Sequence, residues 1–151
     1  MQLKTSSKVN SMEQRITIIT LGVSNVEKVT NFYESKFEWK KEASSNEYIT
    51  FFKLNGILLS LYQNDELAKD ATVNPSRSGF KGYTLAHNVH SKEEVDELIE
   101  NLRAKEVTIV KEPQKADWGG YSSYVSDIDG NLWEIAYNPY LVLEKNGTIK
   151  E

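Results

Sequence analysis

Arg15–Val23 reads RITIITLGV and Ser24–Phe37 reads SNVEKVTNFYESKF. The first run is dense in β-branched residues, which favours a strand. The second opens with Ser24 and Asn25, either of which can cap a helix. Glu27 stands three residues after Ser24, as a capping box requires. Val26, Val29, Tyr33 and Phe37 then recur at helical spacing. Tyr48–Leu54 and Ile57–Gln63 follow as strands joined by Asn55-Gly56, residues suited to the positive φ angles of a two-residue hairpin. A shorter strand is expected near Glu38–Lys41.

The same order returns further along the chain. Gly82–Val89 is strand-like, and Ser91-Lys92-Glu93-Glu94 is a second capping box. Val95, Leu98, Ile99 and Leu102 form a helical stripe, and Val107–Val110 is expected as a short strand. Tyr121–Ser126 and Leu132–Tyr137 flank the turn Asp127-Ile128-Asp129-Gly130. Asn25 and Ser91 mark the same helix start 66 positions apart, so Val23 meets Val89, Phe32 meets Leu98 and Tyr33 meets Ile99. The hairpin glycines Gly56 and Gly130 match at an offset of 74, which sets Ser60 against Glu134. This is an internal repeat whose second copy is eight residues longer between helix and hairpin. The extra length is expected in Lys111–Gly120, with Pro113 and Trp118. Residues 63–81 between the copies carry Asn, Asp, Ser, Gly and Pro75 and read as a linker, with one helical turn at Asp65–Ala68.

The expected organisation is a disordered lead-in at 1–14, one domain at 15–140 and a tail at 141–151. Within the domain, module one spans 15–64, the linker 65–80 and module two 81–139. Met12, just before the first strand, is an alternative start to Met1. A chain of 151 residues, 39% hydrophobic and 26% charged, suits one globular domain. Its net charge of −4 speaks against a nucleic-acid partner, which needs a basic footprint. The chain has no cysteine, which excludes disulfides, thiolate metal sites and cysteine nucleophiles. No apolar run is long enough to span a membrane, and the polar start lacks the core of a signal peptide. A cytoplasmic location is the expectation.

The run ITLGVSNVEKVTNFYE resembles the first strand and helix of the vicinal oxygen chelate superfamily. That superfamily includes glyoxalase I, ring-cleaving dioxygenases, fosfomycin-resistance enzymes and bleomycin-binding proteins. WGGYSSYVSDIDGNLWEIAYNP resembles its last hairpin, with Ile128 where the family usually has proline. The resemblance covers roughly Arg15 to Pro139. It implies an α+β fold: two βαβββ modules forming a curved mixed sheet around a cup, with helices on the outer face. Metal-dependent members place ligands on the first and last strand of each module. Carried over by position, those sites fall on Ile18, Ser60, Thr84 (or Tyr83) and Glu134. Ile18 has no donor atom, and Ser60 and Thr84 are poor neutral ligands. No metal or other cofactor is therefore expected, with Glu134 the one credible ligand should a divalent metal bind.

Strand alternation then names the cup. With Ser60, Thr84 and Glu134 facing it, Thr20, Gly22, Leu58, Tyr62, Ala86, Asn88, Leu132 and Ala136 face it too. Pairing across Asn55-Gly56 adds Phe51 and Ile49. The opposite face, with Ile19, Leu21, Val23, Leu59, Leu61, Leu85, Val89 and Ile135, is aliphatic and suits packing under helices. The candidate ligand-binding residues are Phe51, Ser60, Tyr62, Thr84, Asn88, Trp118, Tyr121 and Glu134. Trp118 sits before Gly119-Gly120, and either lays a ring over the ligand or fills a gap in the core. His87 is directed toward the helix layer and His90 toward solvent beside the helix cap. Trp133 and Tyr137 read as core or interface.

Four functions compete. One is a binding protein for a small aromatic or amphipathic molecule, similar to bleomycin-resistance proteins and needing no metal; the acidic balance favours a cationic ligand. Another is a metal-independent isomerase- or lyase-type enzyme, with Glu134 as acid or base and Asn88 or Tyr62 orienting substrate. A third is a metal-dependent lyase or dioxygenase with a displaced site, for example one using His87. The last is a structural role. A homodimer is expected in any of them, through sheet edges and exposed aromatics.

Overall fold

A computed structural model describes residues 12–151, so most of the expected lead-in lies outside the described residues. The first strand-like run forms β1, Ile18–Val23, and the capped stretch forms α1, Val26–Lys36. Asn25 is the cap, and its side chain accepts from the Lys28 backbone N–H at 2.9 Å. The hairpin strands are β2, Ile49–Lys53, and β3, Leu58–Gln63. The short strand expected at Glu38–Lys41 is reduced to one isolated bridge, Lys41 to Phe52.

The linker is more ordered than its composition suggests. Asn64–Asp70 forms a two-turn helix, α2, capped by the Gln63 side chain at 2.9 Å from the Glu66 N–H. Only Leu67 and Ala68 are apolar on it, so helical periodicity is nearly invisible in sequence. It is held by tertiary contact. Asn64 and Leu67 lie against Gly22, where a Cβ would come within 2.8 Å of the Asn64 side-chain oxygen.

Module two repeats the order with β4, Leu85–Asn88; α3, Lys92–Ala104; β5, Thr108–Lys115; β6, Tyr121–Ser126; and β7, Leu132–Tyr137. The strand expected at Val107–Val110 runs on to Lys115. Part of the extra length is therefore a longer hairpin arm, closed by a tight turn in which the Gly119 N–H donates to Ala116 O at 3.0 Å. The register shifts between Lys111 and Gln114, where Pro113 cannot donate to the ladder. The helices differ as well: α1 has 11 residues and α3 has 13. Both helices are followed by a glutamate in the left-handed region, Glu38 at φ 58° and Glu106 at φ 62°. The repeat thus extends to how its helices stop.

Each module builds its own mixed sheet, with strand orders β1-β3-β2 and β4-β7-β6-β5. In each, the first strand runs parallel to the last, and the rest pair antiparallel. The helix-side residues of both sheets share one core. Tyr33 is fully buried, and its ring lies 6.1 Å from Trp133 of β7 and stacks on Trp39 at 5.4 Å. Phe37 and Trp39 complete the cluster around Trp133 at 5.5 Å each.

A polar seam closes the join between modules. The Tyr33 hydroxyl donates to Asp127 Oδ2 at 2.6 Å and accepts from Trp133 Nε1 at 3.0 Å. Asp127 also accepts from the Asn131 backbone at 2.8 Å and from its side chain at 2.7 Å. Burial first, then the Asp127 charge, pushes the Tyr33 phenol far above its usual range, so it stays a donor. Beside it, the Ser24 hydroxyl and N–H both donate to Asp129 Oδ1, and Arg77 reaches Asp129 Oδ2 at 3.3 Å. Burial would raise the Asp129 pKa, but the Ser24 and Arg77 bonds outweigh it and hold the carboxyl below the usual range.

Candidate functional site

The faces away from α1 and α3 carry two corresponding rows. In module one, Thr20 pairs with Ser60 and Ser60 with Phe51 across adjacent strands. Gly22, Tyr62 and Ile49 form the next row. In module two, Ala86 pairs with Glu134 and Glu134 with Tyr124, followed by Asn88, Ala136 and Ser122. The expected alternation and the Phe51–Ser60 pairing are therefore observed.

Tyr124 was not among the expected residues. Two residues, Asn55-Gly56, turn the first hairpin, but three stand between Asp127 and Asn131 in the second, where the Asp127 N–H donates to Asn131 O at 3.0 Å. The offset of 74 that relates Ser60 to Glu134 thus falls to 73 one strand earlier, and Phe51 corresponds to Tyr124. Pairing of residues across the second turn, like that across Asn55-Gly56, is the sequence signal that finds it.

The two rows differ in chemistry. Ser60 is 1% exposed, and its hydroxyl lies 2.6 Å from that of Thr20. Each of the two small groups has the other as a hydrogen-bond partner. Glu134 is half-buried, and the Tyr124 hydroxyl is 3.3 Å from its Oε2. A carboxylate has room for about four hydrogen bonds, so Glu134 retains most of its acceptor capacity. Desolvation first, then the Glu134 charge and hydrogen bond, raise the Tyr124 pKa, with the Thr84 hydroxyl pulling the other way. Thr84 precedes β4 and thus lies beside this pair.

Trp118 completes the face. Gly120 is two residues before Ser122 and points the same way by alternation. A Cβ at Gly120 would fall 1.8 Å from the Trp118 ring, so the ring occupies the space that a side chain would take. Trp118 is still 46% exposed. It is a rim aromatic laid on the sheet rather than core filler.

Tyr121 departs from the expected set. It sits on the other side of β6, and its hydroxyl donates to Asp96 of α3 at 2.6 Å. His87 likewise lies on the helix side, in a cavity with Trp39 and Trp133. Asn88 and Tyr62 are half-buried on the expected faces. The structure does not bring the two rows together within the chain. They belong to separate sheets, and Glu134 lines none of the five cavities of about 170–560 Å³ described among residues 12–151. The most polar of those cavities runs along Thr20 and Gly22 to Arg77, Lys81 and Tyr83, below α2 and the linker. Among the described residues, no group of three or more His, Asp or Glu side chains is placed to hold a metal ion. No helix among them is long and apolar enough to cross a membrane.

A βαββ unit, short of one expected strand, and a βαβββ unit joined through their helix sides define a duplicated α+β protein, each unit presenting a row of side chains on its other face. Residues 15–135 match the Glyoxalase/Bleomycin resistance protein/Dioxygenase superfamily, and the chain belongs to it. The structure is similar to that of a glyoxalase-related enzyme from Fulvimarina pelagi, at 32% identity and a TM-score of 0.81, covering 92% of this chain and 99% of that one. It is similar to a genomically encoded fosfomycin resistance protein from Listeria monocytogenes, at 26% identity and a TM-score of 0.63, covering 84% and 95%. A lactoylglutathione lyase from Agrobacterium tumefaciens shares the fold at 24% identity and a TM-score of 0.66, covering 85% and 96%.

Proposed function

We propose that this protein binds a small aromatic or amphipathic organic molecule, without a metal, in a cup that a second copy of the chain completes. The observation that carries the reading is the Trp118 ring resting on Gly120, on the same face as Glu134 and Tyr124. A half-exposed indole on the same face as a carboxylate with spare acceptor capacity, two strand rows or about 13 Å away, suits an elongated, flat, cationic or hydrogen-bond-donating ligand. The net charge of −4 favours the same sign of ligand.

The residues do not fit the superfamily's metal. Ser60 is buried and shares its hydroxyl with Thr20, Ile18 has no donor, and Thr84 is neutral. Glu134 alone carries charge, and a single carboxylate is too few ligands for a divalent cation.

Pairing of copies is supported by the sheet edges. β1 and β4 each end a sheet, and each carries one strand of its module's row. Open edges invite strand partners. A second copy laid along them would set the Phe51–Ser60 row of one protomer near the Glu134–Tyr124 row of its partner.

A thermal-shift screen of metabolites and cationic aromatic drugs, with sedimentation analysis, tests the proposal. Ligands are expected to stabilise a dimer of the wild type and to lose that effect in Trp118→Ala and Phe51→Ala. A monomer with no stabilising ligand across a broad panel would overturn it. The pair Tyr124–Glu134 also supports a second reading, an acid–base enzyme acting beside a carbonyl. Glu134→Gln would then abolish turnover while sparing binding. Unchanged turnover in that variant removes this reading.

A further inference from the structure

The repeat supplies an internal control for a second cavity, on the helix side. At the offset of 66, Leu21 corresponds to His87 and Phe32 to Leu98. In module one both members are buried, and Phe32 packs edge-on against Tyr33 and Phe37 at 5.3 and 5.5 Å. In module two the ring is replaced by the smaller Leu98, and the aliphatic group by an imidazole. There a cavity of about 230 Å³ opens between the end of α1 and α3.

Its walls are of two kinds. Phe37, Trp39, Trp133, Leu98, Leu102 and Ile135 are apolar, and three of them are aromatic. His87, Asn101, Lys36, Lys105 and Glu38 supply polar atoms. Glu38 pairs with Lys105 at 3.0 Å, whereas the Lys36 ammonium has no ion pair among the described residues. The charged groups on the wall thus leave one positive charge over. His87 stays exposed at the edge of the cavity, and desolvation by these walls lowers its pKa, so the ring is neutral at pH 7 and offers one donor and one acceptor. Ligand sites commonly combine apolar walls with a few convergent polar groups in roughly 300–1,000 Å³. This one falls just below that range, which limits the occupant to one or two rings.

We propose that this cavity is a second ligand site, separate from the cup, for a small planar aromatic acid. The ring lies among Phe37, Trp39 and Trp133. The carboxylate meets the His87 N–H and the Lys36 ammonium at the mouth. The site exists because module two lacks the two side chains that fill the same place in module one.

Restoring those side chains is the test. Indole-3-carboxylate and benzoate serve as probes, with benzamidine as the oppositely charged analogue, read by calorimetry and ligand-observed NMR at pH 7. The acids are expected to bind saturably to the wild type, and benzamidine at least ten-fold more weakly. Leu98→Phe, which rebuilds the module-one pattern, is expected to abolish binding. His87→Leu is expected to weaken it at least ten-fold, and it decides the matter should Leu98→Phe fail to fold. Glu134→Gln and Trp118→Ala are expected to bind the acids as the wild type does. No saturable binding to the wild type, or binding that survives both cavity variants, overturns the proposal. Loss of binding in Trp118→Ala with retention in Leu98→Phe also overturns it, by placing the acids in the cup.

Discussion

Corresponding rows of the two modules have opposite fates. Thr20 and Ser60 bond each other at 2.6 Å, whereas among the described residues the Glu134 carboxylate meets only the Tyr124 hydroxyl, at 3.3 Å. The contrast extends along the strands. Gly22 of module one is covered by Asn64 and Leu67 of α2, while its counterpart at offset 66, Asn88, keeps a side chain on the same face of module two. Module one presents a closed hydroxyl pair, and module two a carboxylate with spare acceptor capacity. Duplication fixes the scaffold, and divergence at a few face positions gives the two copies different surfaces.

The turns offer the sharpest way to break this comparison. Asp127 collects hydrogen bonds from Tyr33, Asp129 and Asn131, and Leu54 at the same place in module one collects none from side chains among the described residues. Asp127→Ala strands several buried donors and is expected to cost about 3 kcal/mol or more in chemical denaturation. Asn55→Ala, at the tip of the other hairpin, should cost about 0.5–1 kcal/mol. Equal losses would mean that the seam does not hold the modules together.

The two close-packed glycines come next. A Cβ at Gly22 meets the Asn64 side-chain oxygen at 2.8 Å and the α2 backbone at 3.3 Å, so Gly22→Ala displaces the Asn64 side chain and is expected to cost about 1 kcal/mol. Gly120→Ala collides with the Trp118 ring itself. Its predicted signature is a loss of ligand-induced thermal shift equal to that of Trp118→Ala. Ligand response that persists in Gly120→Ala would separate Trp118 from the site.

A smaller effect is expected from acid. Asp129 has a depressed folded-state pKa, so its contribution is complete above the ordinary aspartate pKa of about 4 and is lost as pH falls through the lower folded value. Asp129→Asn should flatten the stability profile below about pH 4, measured by urea midpoints. An unchanged acid limb would remove the Ser24–Asp129–Arg77 bonds from the energetics. Smallest of all, Glu106→Gly is expected to stabilise by a few tenths of a kcal/mol, since glycine tolerates positive φ. Glu38→Gly should gain less, because it also loses the Lys105 pair, and thermal midpoints would rank the two.

Much of the scaffold was legible because its signals are local. The Asn25 and Ser91 caps, the Asn55-Gly56 hairpin and the periodicity of α3 each occupy a few neighbouring residues. The alternation that put Phe51 opposite Ser60 needed only a correct turn. Legibility failed where partners lie far apart in sequence. Nothing near Tyr33 announces Asp127, 94 residues on, and although the helical turn expected at Asp65–Ala68 is observed within α2, nothing in Asn64–Asp70 announces that it docks on Gly22. Ser24 looked like a cap and is instead a bond to module two. Tyr124 was concealed by one extra turn residue, and Tyr121 by its neighbourhood with Gly119-Gly120, although alternation turns it toward Asp96.

Trp133 belongs to β7 yet is enclosed by rings from α1 and the segment after it. Neither half of the duplication therefore owns a complete interior. Removing one half exposes the other's largest side chains, so the halves should lose structure in a single cooperative transition. In hydrogen exchange, the most protected amides of β3 and β7 would open with one common free energy, the signature of a single foldon.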